Sequence, residues 1–140
     1  MKGDHLPKQD HIARLCLQKT ISDGQIQATA FQLRKTDEYL SANWVEFLNC
    51  SDREREIKVL RDIYPKKLTV KRTAKIAILN VGEVIDKVKN ETPDGRTLRV
   101  LHNPNEVDPS HSGIYDLNQD DVVISELILE AVRETHPARE

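Results

Sequence analysis

"AKIAILNV", residues 74–81, runs directly into "GEVIDKVKNE", residues 82–91, and this pair of segments decides how the chain is read. The first is short, partly alternating and rich in β-branched residues, the pattern of a central strand. The second places Val84, Ile85 and Val88 on one face of a short helix. A strand followed at once by an amphipathic helix calls for a sheet with helices laid against it.

Downstream, "PDG" (93–95) is a turn, and "TLRVLHN" (97–103) is a second strand. Leu98, Val100 and His102 fall on one face of it, and Arg99 and Leu101 on the other. Upstream, "SDREREIKVLRDIYPKK" (51–67) is a helix capped by Ser51 or Asp52. It carries an Ile57, Leu60, Ile63 and Tyr64 stripe and ends at Pro65. "HIARLCLQ" (11–18) reads as a strand, and "IQATAFQLR" (26–34) as a short strand or extended segment. A hairpin across Asp23-Gly24 would join these two. In "DEYLSANWVEFLN" (37–49) the chain is extended through residue 41. Helical spacing then begins at Ala42, with Ser41 as N-cap. "NPNEVDPSHSG" (103–113) reads as an irregular loop. "DLNQDDVVISELILEAVRET" (116–135) reads as a long C-terminal helix capped by Asn118, with Val123, Leu127, Ile128 and Ala131 along one face.

The order predicts a single α+β domain over residues 11–135, with a small mixed or mainly antiparallel sheet and helices packed on it. Residues 1–10 and 136–140 are expected to be flexible ends. Hydrophobic residues make up 38% of the 140 and charged residues 31%, a polar but foldable balance. The net charge of −2 gives no global basic field for nucleic acid or acidic lipid. Lys66, Lys67, Lys71, Arg72 and Lys75 gather between a helix and a strand. Without interleaved aromatics they read as a solvated connector. Cys16 and Cys50 form no C-x-x-C pair and lie in apolar patterns, so both are expected to be inert free thiols. No apolar run is long enough for a membrane span, and "MKGDHLPKQD" lacks a signal-peptide core, so a cytoplasmic location is expected.

The chain has five glycines and no phosphate-binding glycine loop, nucleophile elbow or zinc-binding spacing, so no cofactor is expected. Three polar clusters remain. In "HIAR" (11–14), His11 could face a pocket while Arg14, on the opposite face, pairs with a carboxylate elsewhere; Arg14 is also a candidate for ligand contact. In "YLSANW" (39–44), Tyr39 and Ser41 share a face if the stretch is extended, with Trp44 as an apolar wall. The bland reading makes Ser41 a helix cap and Trp44 core. In "DPSHSGI" (108–114), His111 could act as an acid or base, with Ser110 and Ser112 orienting it or a ligand. Asp-Pro-Ser and Ser-Gly are also ordinary turn chemistry. A metal site would need His11, His102 and His111 to converge, and nothing in their spacing calls for it.

The layout "HIARL…DGQI…AFQLR…YLSANW…AILNVG…DPSHSGI" resembles a small family of uncharacterised bacterial proteins, over residues 10 to 135. More loosely, the order is similar to ADP-ribosyltransferase-like and RES-type toxin domains. That resemblance implies a polar residue on the first strand, a hydroxyl on a second and a third polar residue late in the chain. His11, Tyr39 or Ser41, and His111 would fill those places. The late glutamate common in such transferases and an early glycine-rich segment are missing.

Two functions follow as expectations. One is a binding or accessory subunit of a multi-gene defence or toxin–antitoxin type system. It would work through a protein partner or a homodimer built on the apolar C-terminal helix. The other is a small enzyme acting on a nucleotide or phosphorylated small molecule, with His111 as its acid–base group.

Overall fold

The computed structural model describes residues 2–119 and 121–139. Its strands are β1 (His11–Cys16), β2 (Ile21–Ser22), β3 (Gln25–Ile26), β4 (Leu40–Trp44), β5 (Lys75–Asn80), β6 (Arg99–His102), β7 (His111–Tyr115) and β8 (Glu134–Pro137). Its α-helices are α1 (Arg53–Ile63), α2 (Val81–Glu91) and α3 (Val122–Glu130). Six strands form one sheet in the order β6-β7-β4-β1-β5-β8, and every pairing is antiparallel. The expected α+β class is therefore correct, with the sheet antiparallel throughout.

β5 is the strand that "AKIAILNV" promised. It pairs with β1 from His11↔Asn80 to Cys16↔Lys75 and with β8 on its other side. Ile76, Ala77, Ile78 and Leu79 are all fully buried, because helices cover both faces of the sheet. On one face Ile12, Leu40, Ala77 and Leu79 meet Val84 and Val88 of α2 and Ile124 and Ile128 of α3. On the other, Ala13, Ile76 and Ile78 meet Ile57, Leu60 and Ile63 of α1. Asp52, Asn80 and Asp121 cap the three helices by accepting from the amides of Arg55, Glu83 and Ile124. Each cap contributes about 1 kcal/mol.

Several local readings change. The hairpin expected between 11–18 and 26–34 is not formed, because β1 pairs with β4 and β5; Asp23 and Gly24, with φ of 52° and 75°, instead join the short β2 and β3 in a two-residue turn. The strand expected over 26–34 is instead a 3-10 turn at Ala28–Phe31, which buries Ala30 and Phe31. Residues 40–44 stay extended through Trp44, and Ser41 caps no helix. Pairing on both edges of β4, to β1 and β7, overrides the helical spacing. The loop expected over 103–113 ends early, because β7 begins at His111.

Both ends are built into the domain. Leu6 is buried, its amide donates to the Val100 carbonyl at 3.0 Å, and His5 bridges Leu101 along the edge of β6. The long C-terminal helix is not formed. α3 spans Val122–Glu130, and the chain then supplies β8 to the open edge of β5, starting as the Arg133 amide donates to the Ile78 carbonyl. The cap is Asp121 rather than Asn118. α3 buries Ile124, Leu127 and Ile128 and leaves Val122 and Val123 exposed, so its apolar surface is largely covered within the chain. Among the described residues no helix is long and apolar enough to cross a membrane.

Candidate functional site

β1 and β4 pair only at Ile12↔Trp44 and Ala13↔Asn43. At the next position Arg14 reaches across the gap. Its Nη1 donates to the Ser41 carbonyl at 2.8 Å and its Nε to the Ala30 carbonyl at 2.9 Å. Where the strands part, a cavity of about 550 Å³ opens, lined by Arg14, Tyr39, Ser41, Tyr64, Asp108 and His111 among others. That volume suits a small-molecule ligand.

His111, first residue of β7, is buried against the cavity wall. Its Nδ1 lies 2.9 Å from the Asn103 carbonyl oxygen, which can only accept, so Nδ1 carries the proton. In the neutral ring Nε2 is then an acceptor, and it faces the Ser41 Oγ at 3.4 Å. The result is a serine hydroxyl opposite a histidine held in one tautomer by a backbone carbonyl, the arrangement of a base beside a hydroxyl. Tyr39 completes this wall. Its ring meets His111 edge-on, with centroids 5.8 Å apart, and stacks on Tyr115 at 4.9 Å. Its hydroxyl accepts from the Asn103 side-chain amide at 2.9 Å. Gly113, directly opposite Ser41, makes room: a Cβ there would collide with the Tyr39 ring. The glycine of "DPSHSGI" thus serves close approach rather than an unusual turn.

Beside this pair lies a polar cluster of different character. Asp108 is buried, and both its carboxylate oxygens accept from the Asn43 amide, at 2.9 and 2.7 Å. Ser110 Oγ donates to it at 2.8 Å, and Lys67 Nζ at 3.0 Å. Burial raises the Asp108 pKa, but the hydrogen bonds from Asn43, Lys67 and Ser110 outweigh it and hold the carboxyl below the usual carboxylate range. This network pins the turn at 105–110 to the 3-10 turn Tyr64–Lys66 that follows α1. A second histidine, His102, supports the same loop by donating from Nε2 to the Pro109 carbonyl at 2.8 Å.

Two groups at the cavity have capacity left over. Arg14 spends two of its five N–H groups on carbonyls and has no carboxylate within ion-pair distance among the described residues. Burial pulls its pKa down, yet a guanidinium starts so far above neutrality that it stays charged. The Tyr64 hydroxyl is buried and has no hydrogen-bond partner among the described residues. Burial pushes its pKa up, so it remains a neutral donor. Cys16 also lines the cavity, but burial pushes its thiol up to about 11, which makes it a poor nucleophile. Cys16 and Cys50 are both free.

The structure brings together Tyr39, Ser41, His111 and Arg14. It does not bring in His11, whose Nδ1 pairs with Glu46 at 2.7 Å away from the cavity. The histidine takes a carboxylate, and Arg14, a candidate for ligand contact as well as for a carboxylate, lines the cavity. Ser110 and Ser112 do not orient His111. Ser110 belongs to the Asp108 network, and Ser112 points to the opposite side of β7, donating to the Ser110 carbonyl at 3.1 Å. Trp44 donates to Asp10 at 2.9 Å and packs against the core. Asn43, Tyr64, Lys67, Asn103 and Asp108 are functional neighbours that sequence reasoning passed over. In sequence Tyr64 shows only as part of the α1 stripe, Lys67 as part of a connector and Asp108 as a turn residue. Among the described residues no group of three His, Cys, Asp or Glu side chains is placed to hold a metal ion. Compared with models of known families, with curated proteins and with solved structures, the chain finds no match.

Proposed function

We propose that this protein is a small-molecule-binding protein, with the equipment of an enzyme, whose cavity takes a nucleotide or another phosphorylated small molecule. The observation that carries the reading is the Ser41–His111 pair. A hydroxyl and the free nitrogen of a tautomer-fixed imidazole face one another on the wall of a ligand-sized cavity. His111 would act as acid or base, with Ser41 rather than Ser110 or Ser112 as its partner. Tyr39, half-buried in the cavity lining and with its ring braced by Tyr115, would supply the aromatic surface for a base. The likeness to ADP-ribosyltransferase-like and RES-type domains belongs to this same class of reading, with Arg14 in place of His11 on the first strand.

The test is a histidine-resolved NMR titration with AMP, ADP and ATP. The reading predicts that at least one of them moves the His111 imidazole signals and leaves those of His11 in place. If all three leave His111 unmoved at millimolar concentration, the reading is wrong.

The second reading is an accessory subunit of a multi-gene defence or toxin–antitoxin type system, acting through a protein partner or a second copy. What favours it is the exposed Val122–Val123 pair at the start of α3, more than half exposed at 52% and 58%. Light scattering at micromolar concentration checks self-association: a dimer that Val122→Ser and Val123→Ser together dissociate would support it, and a monomer would oppose the dimer form.

A further inference from the structure

We propose that Arg14 and the Tyr64 hydroxyl form an oxyanion subsite at the buried end of the cavity, and that it takes the phosphate of the ligand. The inference rests on reading the cavity as a nucleotide pocket, and adds which end of the ligand goes where.

The first support is unused capacity. An uncompensated buried hydroxyl is destabilising, and native structures rarely leave one without reason. Tyr64 Oη is such a group, on a residue only 6% exposed that is itself among those lining the cavity. Phenylalanine would fill the same space in the α1 core without that cost. Arg14, in the same lining, carries a full charge and three unused N–H groups. A phosphate oxygen is the chemistry that answers both: it accepts from a phenol and from a guanidinium, and it brings the missing negative charge.

The second support is the charge balance of the lining. Its cations are Arg14, Lys19, Arg34 and Lys67, and its acids are Asp37, Glu38 and Asp108. Asp108 is already held by Lys67 and Asp37 by Arg34, so neither opposes an incoming anion strongly. Arg14 is the charge left over inside.

The third support is the gradient of burial. Tyr64 is buried, Arg14 and Tyr39 are half-buried, and Ser41 is exposed. A phosphate at Arg14 and Tyr64 would leave the sugar and base beside Ser41, His111 and the Tyr39 ring.

The experiment is titration calorimetry with pyrophosphate, ADP and adenosine on the wild type, Tyr64→Phe and Arg14→Lys, with His111 shifts recorded in parallel. The wild type is expected to bind ADP and pyrophosphate, and adenosine at least tenfold more weakly. Tyr64→Phe should weaken ADP and pyrophosphate by about tenfold and leave adenosine unchanged. Its melting temperature without ligand should stay level or rise by about 2–4 °C, since the hydroxyl has no partner to lose. Arg14→Lys should weaken the same two ligands by at least tenfold, and Tyr64→Phe decides the matter if the lysine variant does not fold. If ADP still moves His111 but binds Tyr64→Phe as tightly as the wild type, the subsite is wrong while the pocket stands. A loss of several degrees in unliganded Tyr64→Phe would give the hydroxyl a structural role and also overturn the subsite. If the wild type binds neither ADP nor pyrophosphate, subsite and nucleotide reading fall together.

Discussion

Two polar clusters sit side by side under the β6–β7 connection, and they differ in what is left over. Around Asp108 a carboxylate, an amide, a hydroxyl and an ammonium close on one another. Around Arg14 the arginine has spare donors, Tyr64 has no partner among the described residues and His111 reaches Ser41 only at 3.4 Å. A closed network fixes a shape, because partial satisfaction of buried polar groups is costly. An open one invites a ligand to close it. The first cluster builds the loop and the second uses it.

Breaking the closed cluster should have the largest effect on folding. Asp108→Ala leaves Lys67 and Asn43 without their acceptor and should cost about 3 kcal/mol, read as a lower urea midpoint. Gly113→Ala comes next. It pushes a methyl into the Tyr39 ring and should cost about 1–3 kcal/mol. It should also shift the His111 resonances, because Tyr39 packs edge-on against that ring.

Acid offers a gentler way to open the closed cluster. The Asp108 carboxyl is held below its unfolded value of about 3.9, so the unfolded chain binds the proton more readily. The stability it contributes is fully present above that value and is lost as pH falls through the lower folded pKa. Asp108→Asn should therefore flatten the acid limb of a urea-midpoint profile below about pH 4 relative to the wild type. An unchanged acid limb would mean that other carboxylates govern it.

The smallest folding effect belongs to the open cluster. Ser41 is exposed and its hydroxyl faces His111 at 3.4 Å, so Ser41→Ala should change stability by no more than about 0.5 kcal/mol. It should nevertheless alter the His111 response to ADP. If Ser41→Ala destabilised as much as Asp108→Ala, the contrast between the clusters would be lost.

What the sequence made legible was local. β5 and α2 follow from the alternation and helical spacing of residues 74–91, and Asp52 is a cap that can be read by eye. β4 was not, because "LSANW" has spacing for either form and pairing to β1 and β7 decides it. The end of α3 was missed for the same reason: the free edge of β5, distant in sequence, takes residues 134–137. At the site, His111, Ser41 and Tyr39 could be picked out as residue types, but not their partners. The tautomer of His111 depends on the Asn103 carbonyl, and His11 is drawn away by Glu46, 35 residues on. Arg14 could be assigned a face by alternation, but not the gap between β1 and β4 that gives it a pocket. Nothing local marks Tyr64 as more than the last member of an apolar stripe.

The most direct test of this contrast is a crystal structure of the protein grown with ADP. The account predicts phosphate oxygens within hydrogen-bonding distance of Arg14 and the Tyr64 hydroxyl, the adenosine moiety beside Tyr39, Ser41 and His111, and an unchanged Asp108 network. An ADP bound elsewhere, or a water alone satisfying Tyr64 in a cavity that stays free of ADP at millimolar concentration, would contradict it.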